Sequence, residues 1–151
     1  MNVNDFKIRD IDGNETTLGS FGTNLLIVNV ASKCGLTKQY HDLQQLHEEY
    51  DDLTVIGFPC NQFMHQEPDD EDTIKQFVSS RYRVTFPMMS KIDVKGDNAH
   101  PLYKHLTEGG KRISWNFEKF LVSKDNSVII RHSPQTEPVE LKSDIEILAK
   151  K

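Results

Sequence analysis

The sequence predicts an α/β fold in which a central mixed β-sheet is flanked by helices and preceded by an N-terminal β-hairpin. Three observations predict it. Two short continuous apolar runs, 25–30 (LLIVNV) and 53–58 (LTVIGF), read as strands buried on both faces. Between them Tyr40, Leu43, Leu46, His47 and Tyr50 recur at three- and four-residue spacing, the period of a helix. Late in the chain two further short strands, 120–123 and 128–131, flank the turn Lys124-Asp125-Asn126-Ser127.

Each element follows in order. Residues 5–20 read as a small hairpin, with Phe6 and Ile8 alternating and Asp12-Gly13 turning the chain. Strand, helix and strand over 25–58 make a βαβ unit, which requires a parallel strand pair. The helix ends near Asp51-Asp52. A loop, PCNQFMHQEPDD, leads to a second helix carrying Ile74, Phe77, Val78, Arg81 and Tyr82, capped by Asp69 or Asp70. Pro87 breaks that pattern, and 88–94 reads as loop or short strand. A short helix spans 100–106, with Pro101 in its first turn. Ser143 is placed as the cap of a closing helix with Ile145, Ile147 and Leu148 apolar. Parallel strands early and an antiparallel pair late form the thioredoxin-like arrangement. No repeat or linker interrupts it, so residues 1–151 read as one domain.

Composition narrows the function classes. Apolar residues at 36% and charged residues at 27% describe a globular chain rather than a disordered one. A net charge of -5 with no basic stripe argues against nucleic acid. No apolar run approaches the ~20 residues of a membrane helix. The stretch MNVNDFKIRD is polar, so no secretory signal is expected and a cytoplasmic location is. His41 and His47 are six apart, and His100 and His105 five, so neither pair shares a helix face. No zinc spacing occurs, and neither a metal nor another cofactor is expected.

Two cysteines remain, Cys34 and Cys60. Cys34 follows a buried strand and precedes a helix. Unpaired N–H groups and the helix dipole at such a place favour an anion, and the thiolate is the nucleophilic form of cysteine. Lys33 adds a positive charge, and Gly35 lets the backbone turn tightly. Thr37 stands where a CxxC disulfide reductase carries its second cysteine. A thiolate without that partner suits attack on a peroxide oxygen, giving a sulfenic acid. The plainer reading of Cys34, a small buried hydrophobe, carries about equal weight on position alone.

Three blocks tip the balance. NVASKCGLT, GFPCNQFMHQEP and WNFEKFLV, in that order, resemble the three signature blocks of the glutathione peroxidase family. TFPMMSKIDVKGDNAHPLY, between the second and third, is also similar, and the likeness runs over nearly the whole chain. The resemblance implies a thioredoxin-like fold and reduction of hydrogen peroxide and organic or lipid hydroperoxides in the oxidative stress response. It also implies a catalytic tetrad: Cys34 as the peroxidatic residue, Gln66 from QEP, and Trp115 with Asn116 opening the third block. These residue types suit the chemistry, because an indole N–H and amide N–H groups can stabilise a thiolate and the leaving oxygen. Without the resemblance Trp115 reads as core, Asn116 as a turn residue, and Gln62 rivals Gln66. Asn61 reads as a structural loop residue.

The chain also departs from the family pattern. Some members carry selenocysteine at the position of Cys34, and sulfur implies slower attack. Members that use thioredoxin often carry a resolving cysteine eight or nine residues before the proline of the TFP segment, where this chain has Ser79 and Val78. Cys60 is then the only candidate resolving thiol, and its plainer reading is a packed, inert one. The thiol donor implied is thioredoxin or glutathione. The basic residues near the loops, Lys33, Lys38, Arg81 and Arg83, are too sparse to mark a glutathione site. Met64 replaces a residue that is usually glycine. The short stretch LTEGGKRISW lacks the insertion of tetrameric members, which implies a monomer or weak dimer. A thiol-disulfide reductase is disfavoured by Thr37. A peroxide sensor that passes oxidation to a partner protein is the alternative from another class.

Overall fold

The computed structural model describes residues 2–150. The N-terminal hairpin pairs β1 (Lys7–Arg9) antiparallel with β2 (Glu15–Thr17). Its turn is held by Asp10, whose Oδ1 accepts the amides of Asp12 at 3.0 Å and Asn14 at 2.9 Å. Gly13 supplies the φ of +90° that the turn requires.

The two apolar runs form β3 (Asn24–Val30) and β4 (Leu53–Pro59), and every residue of both is buried. They pair in parallel from Asn24↔Leu53 to Val30↔Pro59, joined through α1 (Gln39–Glu49). After α2 (Glu71–Tyr82) and α3 (Pro101–Leu106), the chain re-enters the sheet as β5 (Lys119–Val122), antiparallel to β3, followed by β6 (Ile129–His132). The order β4-β3-β5-β6 is therefore mixed, as the sequence predicts. The chain ends in α4 (Lys142–Ala149).

Strand alternation sorts the core into two layers. Leu25, Ile27, Ile56, Phe58, Phe120 and Val122 face α3 and the N-terminal hairpin. Leu26, Val28, Val55 and Leu121 face α1, α2 and α4.

Several boundaries differ from the sequence reading. The late strands start one residue away from expectation, at Lys119 and Ile129. Lys119 is fully buried, which an apolar pattern cannot anticipate. Ser143 does not cap α4, because the helix starts at Lys142 as the continuation of a 3-10 turn over Pro138–Leu141. That turn opens with the Glu137 amide donating to Glu140 Oε2 at 2.6 Å, while the Glu140 amide donates to Glu137 O at 2.9 Å. Of the two candidate caps of α2, Asp70 is the one used, its Oδ1 accepting the Thr73 amide at 2.9 Å.

The segment after Pro87 is neither a full strand nor a free loop. The Gly57 amide donates to Pro87 O at 3.1 Å, and the Met89 amide donates to Gly57 O at 2.8 Å. This short stitch covers the outer edge of β4. It depends on Gly57 lacking a side chain, since an added Cβ would lie 2.7 Å from Met88 Sδ and 3.3 Å from Phe86 Cε1. Gly57→Ala is therefore expected to destabilise the fold by about 1–3 kcal/mol through overpacking. Urea unfolding checks this, with a lower midpoint and an unchanged slope as the expected result.

Candidate functional site

The loop after β3 carries Cys34, and Thr37 fixes its shape. The Thr37 hydroxyl donates to Ala31 O at 2.8 Å and accepts the Cys34 amide at 2.9 Å. The amides of Thr37, Gln39 and Tyr40 each bond to the carbonyl three residues back, so tight turns wind into α1. The helix proper therefore starts five residues after Cys34, rather than directly behind it. One backbone donor reaches the sulfur all the same: the Leu36 amide lies 3.3 Å from Cys34 Sγ. Cys34 is half-buried and packs against the core layer beneath α1.

The loop after β4 docks onto this segment. The Lys33 amide donates to Gln66 O at 3.0 Å, and the Ser32 amide to Glu67 Oε1 at 3.0 Å. The third segment enters at Gln66: Asn116 Nδ2 donates to Gln66 Oε1 at 3.0 Å. The Gln66 amide nitrogen then has no protein acceptor among the described residues and remains available as a donor. Asn116 is fully buried. Trp115 is partly buried, its ring 5.8 Å from that of Phe63. The turn after it holds Phe117 at φ +68°, with the Phe117 amide 2.6 Å from Asn29 O and Asn29 Nδ2 3.0 Å from Trp115 O.

The geometry thus links the Cys34 loop to Gln66, and Gln66 to Asn116, with Trp115 adjacent in the chain. Gln62 is occupied elsewhere. Its oxygen accepts the amides of Val94 and Lys95 at 2.7 and 3.1 Å, and its nitrogen donates to Lys95 O at 2.9 Å. Asn61 is a loop brace, with Oδ1 accepting the Glu67 amide at 3.0 Å. Lys33 points to Asp69 at 3.8 Å in an exposed pair, so its charge is shared there. Met64 is 75% exposed and holds a left-handed φ of +56°, the conformation glycine adopts without strain.

Three buried charged residues lie behind these segments and were not singled out from sequence; one, Glu118, is paired with Arg131, and the other two, Lys119 and Glu67, have no ion-pair partner among the described residues. Lys119 Nζ donates to the carbonyls of Phe117, Pro134 and Ser133 at 2.6, 3.1 and 3.4 Å. It clamps the strained turn after Asn116, and burial pushes its ammonium down to about 7. Glu67 is fully buried as well, and burial pushes its carboxyl up to about 7. The available signal was a lysine opening an otherwise apolar strand, KFLV, and an acid between a loop amide and a proline.

Cys60 belongs to the opposite layer, with Ile56, Phe58 and Tyr103. Cys34 packs against the other layer, so the two thiols belong to different core clusters. Burial pushes the Cys60 thiol up to about 11, and its Sγ lies 3.5 Å from Gln62 Oε1. Among the described residues no three His, Cys, Asp or Glu side chains are grouped to hold a metal ion, and no helix is long and apolar enough to cross a membrane.

Comparison with known proteins converges on one family. The family model described as glutathione peroxidase matches residues 3–107. Glutathione peroxidase homolog BsaA of Bacillus subtilis is 49% identical, the match covering 96% of each chain. A probable phospholipid hydroperoxide glutathione peroxidase of Citrus sinensis is 46% identical over 97% of this chain and 93% of its own. The glutathione peroxidase-like peroxiredoxin HYR1 of Saccharomyces cerevisiae is 52% identical over 85% and 84%. Among solved structures, the apo form of Trgpx superposes with a TM-score of 0.80 at 40% identity, covering 100% of this chain and 97% of that one. Mycobacterium tuberculosis dsbF, at 15% identity and a TM-score of 0.66 over 96% of each chain, shares the thioredoxin-like fold alone.

Two outcomes follow from this geometry. In the folded protein at neutral pH a small alkylating reagent should label Cys34 well before Cys60. Cys60 should react about a hundredfold slower than in the unfolded chain, as peptide mass spectrometry over a time course would show. Lys119→Met, which leaves the buried carbonyls of Phe117 and Pro134 short of a donor, should cost about 2 kcal/mol of stability. It should also shift the emission of Trp115, the only tryptophan.

Proposed function

Since the chain belongs to the glutathione peroxidase family, and is thus a thiol-dependent oxidoreductase acting on peroxides, we propose that Cys34 is its peroxidatic residue and that Gln66, Trp115 and Asn116 complete the reacting centre. The observation that carries this reading is the continuous set of contacts from Cys34 to Asn116. The Leu36 amide meets the sulfur, the Lys33 amide holds Gln66, and Asn116 holds the Gln66 oxygen. That last bond turns the free Gln66 N–H groups into candidate donors to the sulfur and the peroxide.

In the first step the Cys34 thiolate attacks one peroxide oxygen. A sulfur–oxygen bond forms, the O–O bond breaks, and its electron pair leaves with the other oxygen as hydroxide or alkoxide. That oxygen takes up a proton, giving water or an alcohol, and sulfur is oxidised by two electrons to the sulfenic acid. The Gln66 amide and the Trp115 indole donate toward the developing negative charge. A thiol then attacks the sulfenic sulfur, releasing water and leaving a mixed disulfide. A second thiol restores Cys34 and leaves with the first as a disulfide.

The half-buried position of Cys34 leaves it open to organic and lipid hydroperoxides as well as hydrogen peroxide. The donor is thioredoxin or glutathione, and the working compartment is the reducing cytoplasm, with the chain a monomer or weak dimer. Coupled NADPH oxidation with cumene hydroperoxide tests this, run separately with a thioredoxin system and with glutathione plus its reductase. Turnover is expected with at least one donor and should vanish in Cys34→Ser. Retention in Cys60→Ser marks a one-cysteine cycle, and loss marks Cys60 as resolving. Unchanged turnover in Cys34→Ser would overturn the assignment.

A further inference from the structure

Behind the Cys34 loop lies a buried acid that the reaction as written does not use. The Glu67 side chain is wholly inaccessible, with Oε1 3.0 Å from the Ser32 amide, two residues before Cys34. Its own amide is braced on Asn61 Oδ1 at 3.0 Å. Oε2 is buried and has no hydrogen-bond partner among the described residues. We propose that Glu67 is a positioning residue for Cys34: it holds the Ser32 amide, and the charge on its carboxyl sets how the peroxidatic loop is held. The proposal rests on the role of Cys34 given above.

The surroundings explain why the charge matters. From α1, Tyr40 faces Glu67; its hydroxyl is buried without a hydrogen-bond partner, and a negative Glu67 opposes its ionisation. Lys91 and Asp69 act on the carboxyl in opposite senses, and the Lys91 ammonium is committed to Asp69 O at 2.6 Å. Ser32 supplies the remaining favourable contact. No cation closes an ion pair on Glu67 among the described residues. Burial favours the neutral acid, in which one oxygen still accepts the Ser32 amide. An ionised carboxylate leaves a buried, unpartnered oxygen next to that same amide, and it pulls harder on Ser32. Burial raises the carboxyl from 4.5 to about 7, so the change falls in the working range.

The sign can be worked out for stability too. A raised folded-state value means that the folded protein keeps a proton which the unfolded chain releases. Stability from this group is full below about 4.5 and is lost as pH rises through about 7.

The test reads Cys34 directly rather than turnover. The rate of iodoacetamide labelling at Cys34, resolved by peptide mass spectrometry, is measured from pH 5.5 to 9 in wild type, Glu67→Gln and Glu67→Ala. Wild type should show an inflection near pH 7 in addition to the thiol's own titration. Glu67→Gln keeps an oxygen for Ser32 but cannot ionise, so it should follow a single titration curve. Its stability should also lose the decline across pH 4.5 to 7. Glu67→Ala should alter Cys34 labelling about tenfold at every pH. If Glu67→Gln reproduces the wild-type profile, inflection included, the proposal is overturned. Labelling needs no peroxide and no donor, so a failure of peroxidase turnover would be visible separately.

Discussion

Everything at the candidate site depends on where one strand sits. β3 lies inside the sheet, parallel to β4 and antiparallel to β5. The parallel pairing sends the C-terminal ends of β3 and β4 to the same sheet edge. The antiparallel pairing brings the start of β5 to that edge as well. Three segments far apart in sequence therefore meet: the loop with Cys34, the loop with Gln66, and the turn with Trp115 and Asn116. The last bond of the ladder continues into this region, with the Cys60 amide 3.1 Å from Val30 O. Hydrophobic burial along β3 fixes that register, because a slip of one residue would move every side chain to the wrong layer.

Sheet topology brings the segments close, but buried polar groups set their final geometry. Lys119 gathers three carbonyls behind the Phe117 turn, and Glu67 takes the Ser32 amide behind the Cys34 loop. Neither has a close ion-pair partner among the described residues, and burial pushes both toward their neutral forms. Taking two ionisable groups out of water is costly. The cost is offset by backbone groups that would otherwise be orphaned in the interior, and the result is a loop set that is held rather than loosely packed. Asn29 serves the same end without a charge, receiving the Phe117 amide and donating to Trp115 O.

The sequence disclosed the fold class because the strands obey a simple rule. Two apolar runs buried on both faces, with a helix-period segment between them, leave little choice of topology. Position alone left Cys34 evenly balanced between a nucleophile and a buried thiol; the resemblance of whole blocks tipped that balance and alone supplied Gln66, Trp115 and Asn116. Physics alone did not separate Gln66 from Gln62; the hydrogen bonds do, because Gln62 is spent on the 94–95 backbone. Lys119 and Glu67 stayed hidden because a charge in a buried segment breaks the pattern that makes segments recognisable. Ser143 misled for a related reason. It is a good cap by type, but the preceding 3-10 turn already satisfies the local backbone, so α4 needs no side-chain cap.

The position of Cys60 constrains any redox cycle run on this fold. The two thiols pack in different core clusters and Cys60 is wholly buried, so a bond between them draws Cys60 or the Cys34 loop out of its packing. The mobile partner cannot be β4, whose residues are all buried and paired with β3. It would have to be the Cys34 loop or the 60–67 segment. Moving the first breaks the Thr37 contacts with Ala31 O and the Cys34 amide. Moving the second releases Gln66 from Asn116, and Glu67 from Ser32. Either way, a resolving step through Cys60 breaks contacts that hold the Cys34 and Gln66 loops together and must restore them on every turnover. An external thiol reaching a half-buried Cys34 has no such rearrangement to make. Under the role proposed for Cys34, a one-cysteine cycle asks the least rearrangement of this backbone.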